Sequence, residues 1–194
     1  MIIRFFYIIK KVTLQRLVST AYSKMRVIKY WLLSDCKRIY GKAILNSPVL
    51  MNGLGIIEIG ENVNLGIKSS PSFYNTYIYI EARSKQAAIT IKKGVWINNN
   101  AIIISEGPGI IIGENSLIGH NFTAYDTDFH CLHPNKRITG VPLKGKVIIE
   151  SNVFIGSNVT ILKGVTIGEN SIIASGSIVT KSIPSNVIAG GNPC

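Results

Sequence analysis

From Val147 to Ile183 the chain repeats itself every six residues. Val147, Val153, Val159, Val165, Ser171 and Ser177 stand six apart, and two residues after each comes Ile149, Ile155, Ile161, Ile167, Ile173 and Val179. A strand has period 2 and a helix period 3.6, so neither alone generates this beat. A short fixed period marks a stacked solenoid in which each hexad is one short strand and a turn. Three hexads then close one triangular coil of about 18 residues. The aliphatic residue of each hexad points inward, and Gly156, Gly168 and the pairs Ser157-Asn158 and Glu169-Asn170 fill the positions between. The pattern predicts an all-β solenoid, a parallel β-helix.

The same beat runs less evenly through the preceding residues. It begins near Ile44, shows in Ile57-Glu58-Ile59-Gly60 and Val63-Asn64-Leu65-Gly66, and is lost over residues 67–86, an excursion or an irregular coil. It resumes at Ile89, Ile91, Val95, Ile97, Ala101 and Ile103, slips by one residue at Glu106-Gly107-Pro108-Gly109, and continues through Ile110, Ile112, Ser116, Ile118, Phe122 and Ala124. The largest break follows. After Phe122 the next in-phase residue should be 128, yet the beat restarts at Val147, an excess of 19 residues. Residues 125–146 are thus an inserted loop, YDTDFHCLHPNKRITGVPLKGK, which holds two of the three histidines. A loop of this length in a compact fold is usually functional rather than slack. The last hexads end at Gly190-Gly191-Asn192-Pro193-Cys194 without a closing segment, so a capping segment is expected beyond them.

The formal charge of +11 belongs mainly to one end. Residues 1–42 hold ten Lys/Arg against one acid, Asp35, whereas residues 43–194 hold eleven against nine. This divides the chain into a basic N-terminal segment, 1–42, and a nearly neutral solenoid, 43–194. Leu14, Leu17/Val18, Ala21, Met25, Ile28 and Leu32 recur at helical spacing among Arg16, Lys24, Arg26 and Lys29. A basic amphipathic helix of this kind either packs on the domain or a neighbouring subunit, or makes peripheral contact with an anionic membrane surface. Nucleic acid is not expected, because the basic residues are spread around an apolar helix instead of forming a patch. The opening MIIRFFYIIKK is too short to span a bilayer and no small-residue cleavage site follows it, so neither a transmembrane span nor a signal peptide is expected. Cys36, Cys131 and Cys194 are odd in number and widely spaced, which excludes a disulfide framework or zinc site and places the chain in the cytoplasm, with the inner membrane face as a further option.

The hexads, the Asp126-Thr127-Asp128-Phe129-His130 motif at the base of the loop, and the ending Ile183-Pro184-Ser185-Asn186-Val187-Ile188-Ala189-Gly190-Gly191-Asn192-Pro193 resemble the hexapeptide-repeat acyltransferases. Within them the chain is similar to the sugar O-acetyltransferases, which include galactoside and maltose acetyltransferases and the acetyltransferases of capsule and O-antigen clusters. The resemblance covers residues 55–194 apart from 67–86. It implies a left-handed parallel β-helix behind an N-terminal α-helical segment. It also implies a homotrimer with active sites between subunits, acetyl-CoA as cosubstrate, and no metal. The family's catalytic histidine matches His130. Its acceptor-binding asparagine matches Asn99, and its aromatic beside the pantetheine arm matches Phe154. The acidic residue that galactoside enzymes carry in an N-terminal helical segment has no match here.

Acetyl transfer from a thioester needs a base for the hydroxyl, donors for the oxyanion and a seat for coenzyme A. An imidazole, titrating near 6.5 in ordinary surroundings, suits the first task. His130 lies beside Asp126 and Asp128, either of which can fix its tautomer or stabilise the imidazolium, as in a triad. Its bland alternative is a solvated loop histidine. His133 is a second candidate, better read as a substrate contact, and His120 occupies an ordinary repeat position. Asn98, Asn99 and Asn100 suit neither an aliphatic wall nor a strand interior, so Asn99 either binds the sugar or belongs to a corner ladder of asparagines. Backbone N–H groups near Gly156 or Ser157 are the candidate oxyanion donors, and Lys163 and Lys181 the candidate phosphate contacts. The expected reaction is O-acetylation of a sugar hydroxyl in surface-polysaccharide assembly. N-acetylation of an amino sugar, free or nucleotide-linked, and a non-catalytic membrane-bound scaffold are the alternatives.

Overall fold

The computed structural model describes residues 2–194, with side chains from Thr13 onward; the expectations for MIIRFFYIIKK fall outside the described side chains. One helix, α1 (Ile2–Leu33), precedes a solenoid of short parallel strands. Among the described residues no helix is long and apolar enough to cross a membrane. The solenoid's first strand is already Ile39–Gly41, a few residues before the expected boundary.

Every strand pairs with its counterpart one coil away, which gives three parallel sheets and a prism of triangular section. Sheet A stacks Ile39–Gly41, Ile56–Ile59, Ala88–Ile91, Ile110–Ile112, Val147–Ile149 and Thr166–Ile167. Sheet B runs from Ile44–Leu45 through Trp96–Ile97, Leu117–Ile118 and Phe154–Ile155 to Ile188–Ala189. Sheet C runs from Val49–Asn52 through Ile78–Ala82, Ile102–Ser105 and Thr123–Tyr125 to Ile178–Val179. The fold is the left-handed parallel β-helix that the resemblance implies. Ile148 pairs with Thr166, Phe154 with Ile172 and Thr160 with Ile178, so the regular coils advance by the 18 residues of three hexads.

Both aliphatic residues of each hexad are inside: Ile57, Ile89, Ile110 and Val147 in sheet A, and Val153, Ile155, Val159 and Ile161 in the rest of the coil that Val147 begins, are fully buried. β-branched side chains favour this setting, since their restricted χ1 costs little on a pleated wall. Serine stands where valine would because its hydroxyl serves a corner. Ser116 Oγ donates to Glu150 O and accepts from Val153 N, and Ser171 Oγ donates to Pro184 O and accepts from Val187 N.

Asparagine turns two of the three corners. Asn152, Asn170 and Asn186 adopt φ of 57–61°, a left-handed region that asparagine tolerates better than most residues. Their amides form a ladder, Asn152 to Asn170 at 2.9 Å and Asn170 to Asn186 at 3.0 Å. A second ladder joins Asn100, Asn121 and Asn158 at the corner between sheets B and C.

The irregularities sit at corners and leave the strands in register. The stretch 67–86 resolves into an excursion through residue 77 and then a regular strand, Ile78–Ala82, paired on both sides. The slip at 106–109 corrects the expectation. Ile89 pairs with Ile110, a step of 21, so the corner gains three residues rather than one. Leu117 pairs with Phe154, a step of 37, which confirms an excess of 19 in the inserted loop. That loop leaves sheet C after Tyr125 and enters sheet A at Val147, so it projects from the C–A corner.

Candidate functional site

The inserted loop leaves the prism through a pinched neck. Gly145 N donates to Asp126 O (2.9 Å), Asp128 N donates to Leu143 O (3.0 Å), and Thr127 and Lys144 face each other as an antiparallel bridge. Gly145 sits so close to the next coil that a Cβ there would lie 2.8 Å from the Gly164 backbone. Thr127 Oγ1 donates to Glu106 Oε2 (3.1 Å), and Lys144 Nζ donates to Glu106 O (3.0 Å). Arg83 bridges Glu81 (2.9 Å) and Glu106 (3.4 Å), which ties the neck to the coil before it. Hydrogen bonding to Glu81 raises the Arg83 pKa further above its usual value, so the guanidinium is a fixed positive charge here.

Phe129 holds the position that decides where His130 goes. His130 N donates to Asp128 O at 2.7 Å, closing a three-residue turn around Phe129, whose φ is 60°. A bulky residue in this region is an outlier that costs about 1–3 kcal/mol and persists only where its surroundings hold it. Here the holding contacts are visible. The Phe129 ring packs edge-on against Tyr125 (5.1 Å between centroids), Arg83 Cζ lies 5.1 Å over it, and Phe129 N donates to Thr127 Oγ1. Burial raises the Tyr125 pKa, which keeps that phenol neutral. His130 follows directly, with its side chain exposed on the loop.

The two carboxylates expected beside His130 do different work. Asp126 is fully buried and its carboxylate accepts from Ser105 Oγ and from the N–H groups of Glu106, Gly107 and Gly109. Those bonds fold the turn that adds three residues to the corner, and they occupy Asp126 with structure rather than with His130. Asp128 is the carboxylate with an open oxygen. Its Oδ1 meets Lys163 Nζ at 2.7 Å, while Oδ2 is the one buried side-chain polar atom among the described residues without a hydrogen-bond partner. A buried acceptor left open is costly and calls for an explanation. Lys163 is therefore engaged at the neck and is not the free phosphate contact expected of it. Lys181, on the same C–A edge one coil on, remains exposed.

Asn99 also departs from expectation. It is 1% exposed, and its Nδ2 donates to Ile67 O and Pro71 O (both 2.9 Å), while Oδ1 accepts from Ser47 Oγ (2.6 Å) and Ile67 N (3.0 Å). Two donors and two acceptor sites are all that an amide offers, so Asn99 has nothing left for a sugar. It secures the excursion that begins at residue 67. Asn98 accepts from Asn99 N, and Asn100 joins the corner ladder. His120 Nε2 shares a hydrogen bond with Ser72 Oγ in the same excursion. Gly156 N donates to Ile173 O and Ser157 N to Ser175 Oγ, so both candidate oxyanion donors are already used. His133 is exposed and precedes a short 3₁₀ turn, Pro134–Lys136, at the loop tip.

One chain does not assemble the whole constellation. His130, Asp128, Lys163 and Lys181 lie along the C–A edge. Phe154 lies on sheet B, the face opposite that edge, where it stacks in register with the equally outward Trp96 and Leu117. The loop tip is likewise unpartnered within the chain, with Ile138 90% and Val141 83% exposed. Among the described residues no group of His, Cys, Asp or Glu is placed to hold a metal ion.

Comparison with known proteins agrees with the fold. Residues 146–181 match the bacterial transferase hexapeptide (six repeats) family. Over 137 residues the chain is 38% identical to the galactoside O-acetyltransferase of Lactococcus lactis subsp. lactis (strain IL1403), covering 71% of this chain and 60% of that protein's length. A hexapeptide-repeat-containing acetyltransferase of Vibrio cholerae O1 biovar eltor, solved with acetyl coenzyme A, shares 29% identity and a TM-score of 0.53 over 69% of this chain and 66% of that one. A maltose O-acetyltransferase from Clostridium difficile 630 shares 27% identity and a TM-score of 0.50, over 77% and 67%. The chain thus carries hexapeptide repeats at residues 146–181 on a left-handed β-helix fold, and over part of their length it is similar to galactoside and maltose O-acetyltransferases.

Proposed function

We propose that this protein transfers an acetyl group from acetyl-CoA to a sugar hydroxyl, in the assembly of a surface polysaccharide. The observation that carries the proposal is the strained turn at Phe129, which presents His130 from a clamped neck with the open Asp128 carboxylate two residues before it. Strain of this kind, held by its surroundings, is characteristic of working sites.

In the reaction a ring nitrogen of His130 takes the proton of the acceptor hydroxyl as its oxygen attacks the thioester carbonyl. The tetrahedral oxyanion collapses with cleavage of the carbon–sulfur bond, and the imidazolium returns the proton to the departing thiolate. The products are an acetyl ester and free coenzyme A, and no acyl-enzyme is formed. Asp128 Oδ2, buried and without a partner, is the carboxylate oxygen we assign to the orienting role of a triad.

Because Phe154 and His130 lie on opposite sides of one prism, the working site pairs the C–A edge of one copy with sheet B of another. A head-to-tail contact of this type closes into a ring, and three copies form the proposed homotrimer. The Trp96–Leu117–Phe154 column is the apolar wall for the pantetheine arm, and Lys181 the available cation for its phosphates. The three unpaired thiols support a reducing compartment, the cytoplasm, as the proposed setting.

The test is release of coenzyme A thiol from acetyl-CoA in the presence of galactosides, maltose, longer oligosaccharides and amino sugars. Turnover is expected with a hydroxyl acceptor, and His130→Ala should lower kcat by about 10²–10⁴-fold. Full turnover by His130→Ala would overturn the assignment, and acetylation confined to amino groups would replace O-transfer with N-transfer.

A further inference from the structure

Helix α1 is mounted with its amphipathic character reversed. The side it turns to the solenoid is polar. Ser19 Oγ shares a hydrogen bond with the Tyr74 hydroxyl (2.6 Å), and Arg26 donates to Phe73 O (2.6 Å) and Thr76 O. Tyr30 stacks on Tyr77 (4.5 Å), and Ser34 Oγ accepts from Met51 N. Residues 19, 23, 26, 30 and 34 fall on one stripe of a helix turning about 100° per residue. Leu14, Val18, Met25, Ile28 and Leu32 fall on the opposite stripe with Leu17, and each is 56–69% exposed. A globular helix normally buries such a stripe against its own domain. Here polar anchors hold the helix down and leave its apolar side facing away.

We propose that this outward stripe lies in the headgroup boundary of an anionic lipid surface and holds the protein there as a peripheral membrane protein. Charge selects lipid over a second copy of the chain. The stripe's spacing, 14, 18, 21, 25, 28 and 32, also suits a coiled-coil seam. Yet the positions flanking that seam hold Lys24 and Lys29, and residues 1–34 contain no Asp or Glu. Pairing two copies in parallel sets lysine against lysine, whereas phosphate headgroups complement both rows. Trp31, 65% exposed at the edge of the stripe, is a residue type that settles at the membrane–water boundary. Shallow, in-plane binding also agrees with the absence of a described helix apolar enough to cross a bilayer. The proposal does not depend on acetyl transfer, and it stands even if His130→Ala is fully active.

The experiment is co-sedimentation of the full chain with phosphatidylcholine vesicles, with and without phosphatidylglycerol. Molar mass is followed in parallel by light scattering. The expected result is at least tenfold tighter partitioning onto the anionic vesicles, weakened by added salt. Lys24→Glu/Lys29→Glu should lose about tenfold or more of that affinity, and Met25→Glu/Ile28→Glu should lose binding to both vesicle types. The mass and thermal midpoint of both variants should match wild type, since all four side chains are exposed. If Met25→Glu/Ile28→Glu fails to fold, the lysine variant carries the test alone. Absence of wild-type binding, equal affinity for neutral and anionic vesicles, or a fall in mass on disrupting the stripe overturns the proposal; the last makes the stripe a subunit seam.

Discussion

Subunit complementation tests the arrangement of the site directly. His130→Ala removes the base at the C–A edge and leaves sheet B intact. Phe154→Asp places a charge in the Trp96–Leu117–Phe154 column and leaves the edge intact. Phe154 is 49% exposed and His130 is exposed, so neither change opens the core. Each variant alone should be inactive, because every site in its ring carries the defect. Mixed one to one and reassembled, a site works when one copy brings His130 and its neighbour brings Phe154. Random assortment makes each event about one half, so about one quarter of sites recover in a head-to-tail ring. The assay is coenzyme A release by the refolded mixture, with mass by light scattering to confirm assembly. Turnover near a quarter of wild type supports a site built across the interface. Turnover no higher than the average of the two parents refutes the reasoning, because it means that one chain supplies both groups.

Asp126→Ala should destabilise the fold by about 3–5 kcal/mol, because it orphans the buried donors of the 105–109 turn; the melting midpoint should fall by about 10 °C. Phe129→Gly removes the strain and the ring contacts together, so stability should change little while kcat falls about tenfold as His130 loses its fixed position. Asn99→Ala should raise proteolytic cleavage within residues 67–77 first, before the solenoid itself is attacked, since the amide's bonds to Ile67 and Pro71 hold that excursion. Tyr125 has its pKa raised in the folded state by burial, so its contribution is present below about pH 10 and is lost as pH rises through the folded-state value. Tyr125→Phe should flatten that alkaline fall in stability, measured by denaturant titration at successive pH values.

The solenoid was legible because its information is local and repeated. A six-residue beat fixes which side chains face inward, and all of Val147, Ile149, Val153, Ile155, Val159 and Ile161 are buried as the beat requires. The position of the inserted loop was legible for the same reason. The slip at 106–109 was misjudged because its extra residues wrap around Asp126, a carboxylate 17–21 residues further along that no local pattern announces. Among the three adjacent asparagines, Asn99 is told apart by Ser47 and by backbone groups of the excursion, and backbone groups carry no sequence signature. Phe129 stands in the sequence motif without a role of its own, since its conformation is imposed by Tyr125, Arg83 and Thr127 from outside the residue. For α1, periodicity revealed an apolar stripe but not its direction. That is set by where Arg26 and Tyr30 find partners.

The pinched neck has an evolutionary consequence. Ile110–Ile112 pairs with Val147–Ile149 one coil on, as though the 19 extra residues of the loop were missing. The chain beyond the Thr127–Lys144 bridge is therefore not measured by the coils, and lengthening a closed loop costs little, about 0.6 kcal/mol for each doubling. Segments of different length and sequence can be spliced between residues 131 and 143 while the prism stays in register and the turn that presents His130 is kept. Acceptor preference can thus diversify like an exchangeable cassette, provided that Asp126, Thr127, Lys144 and Gly145 keep the socket.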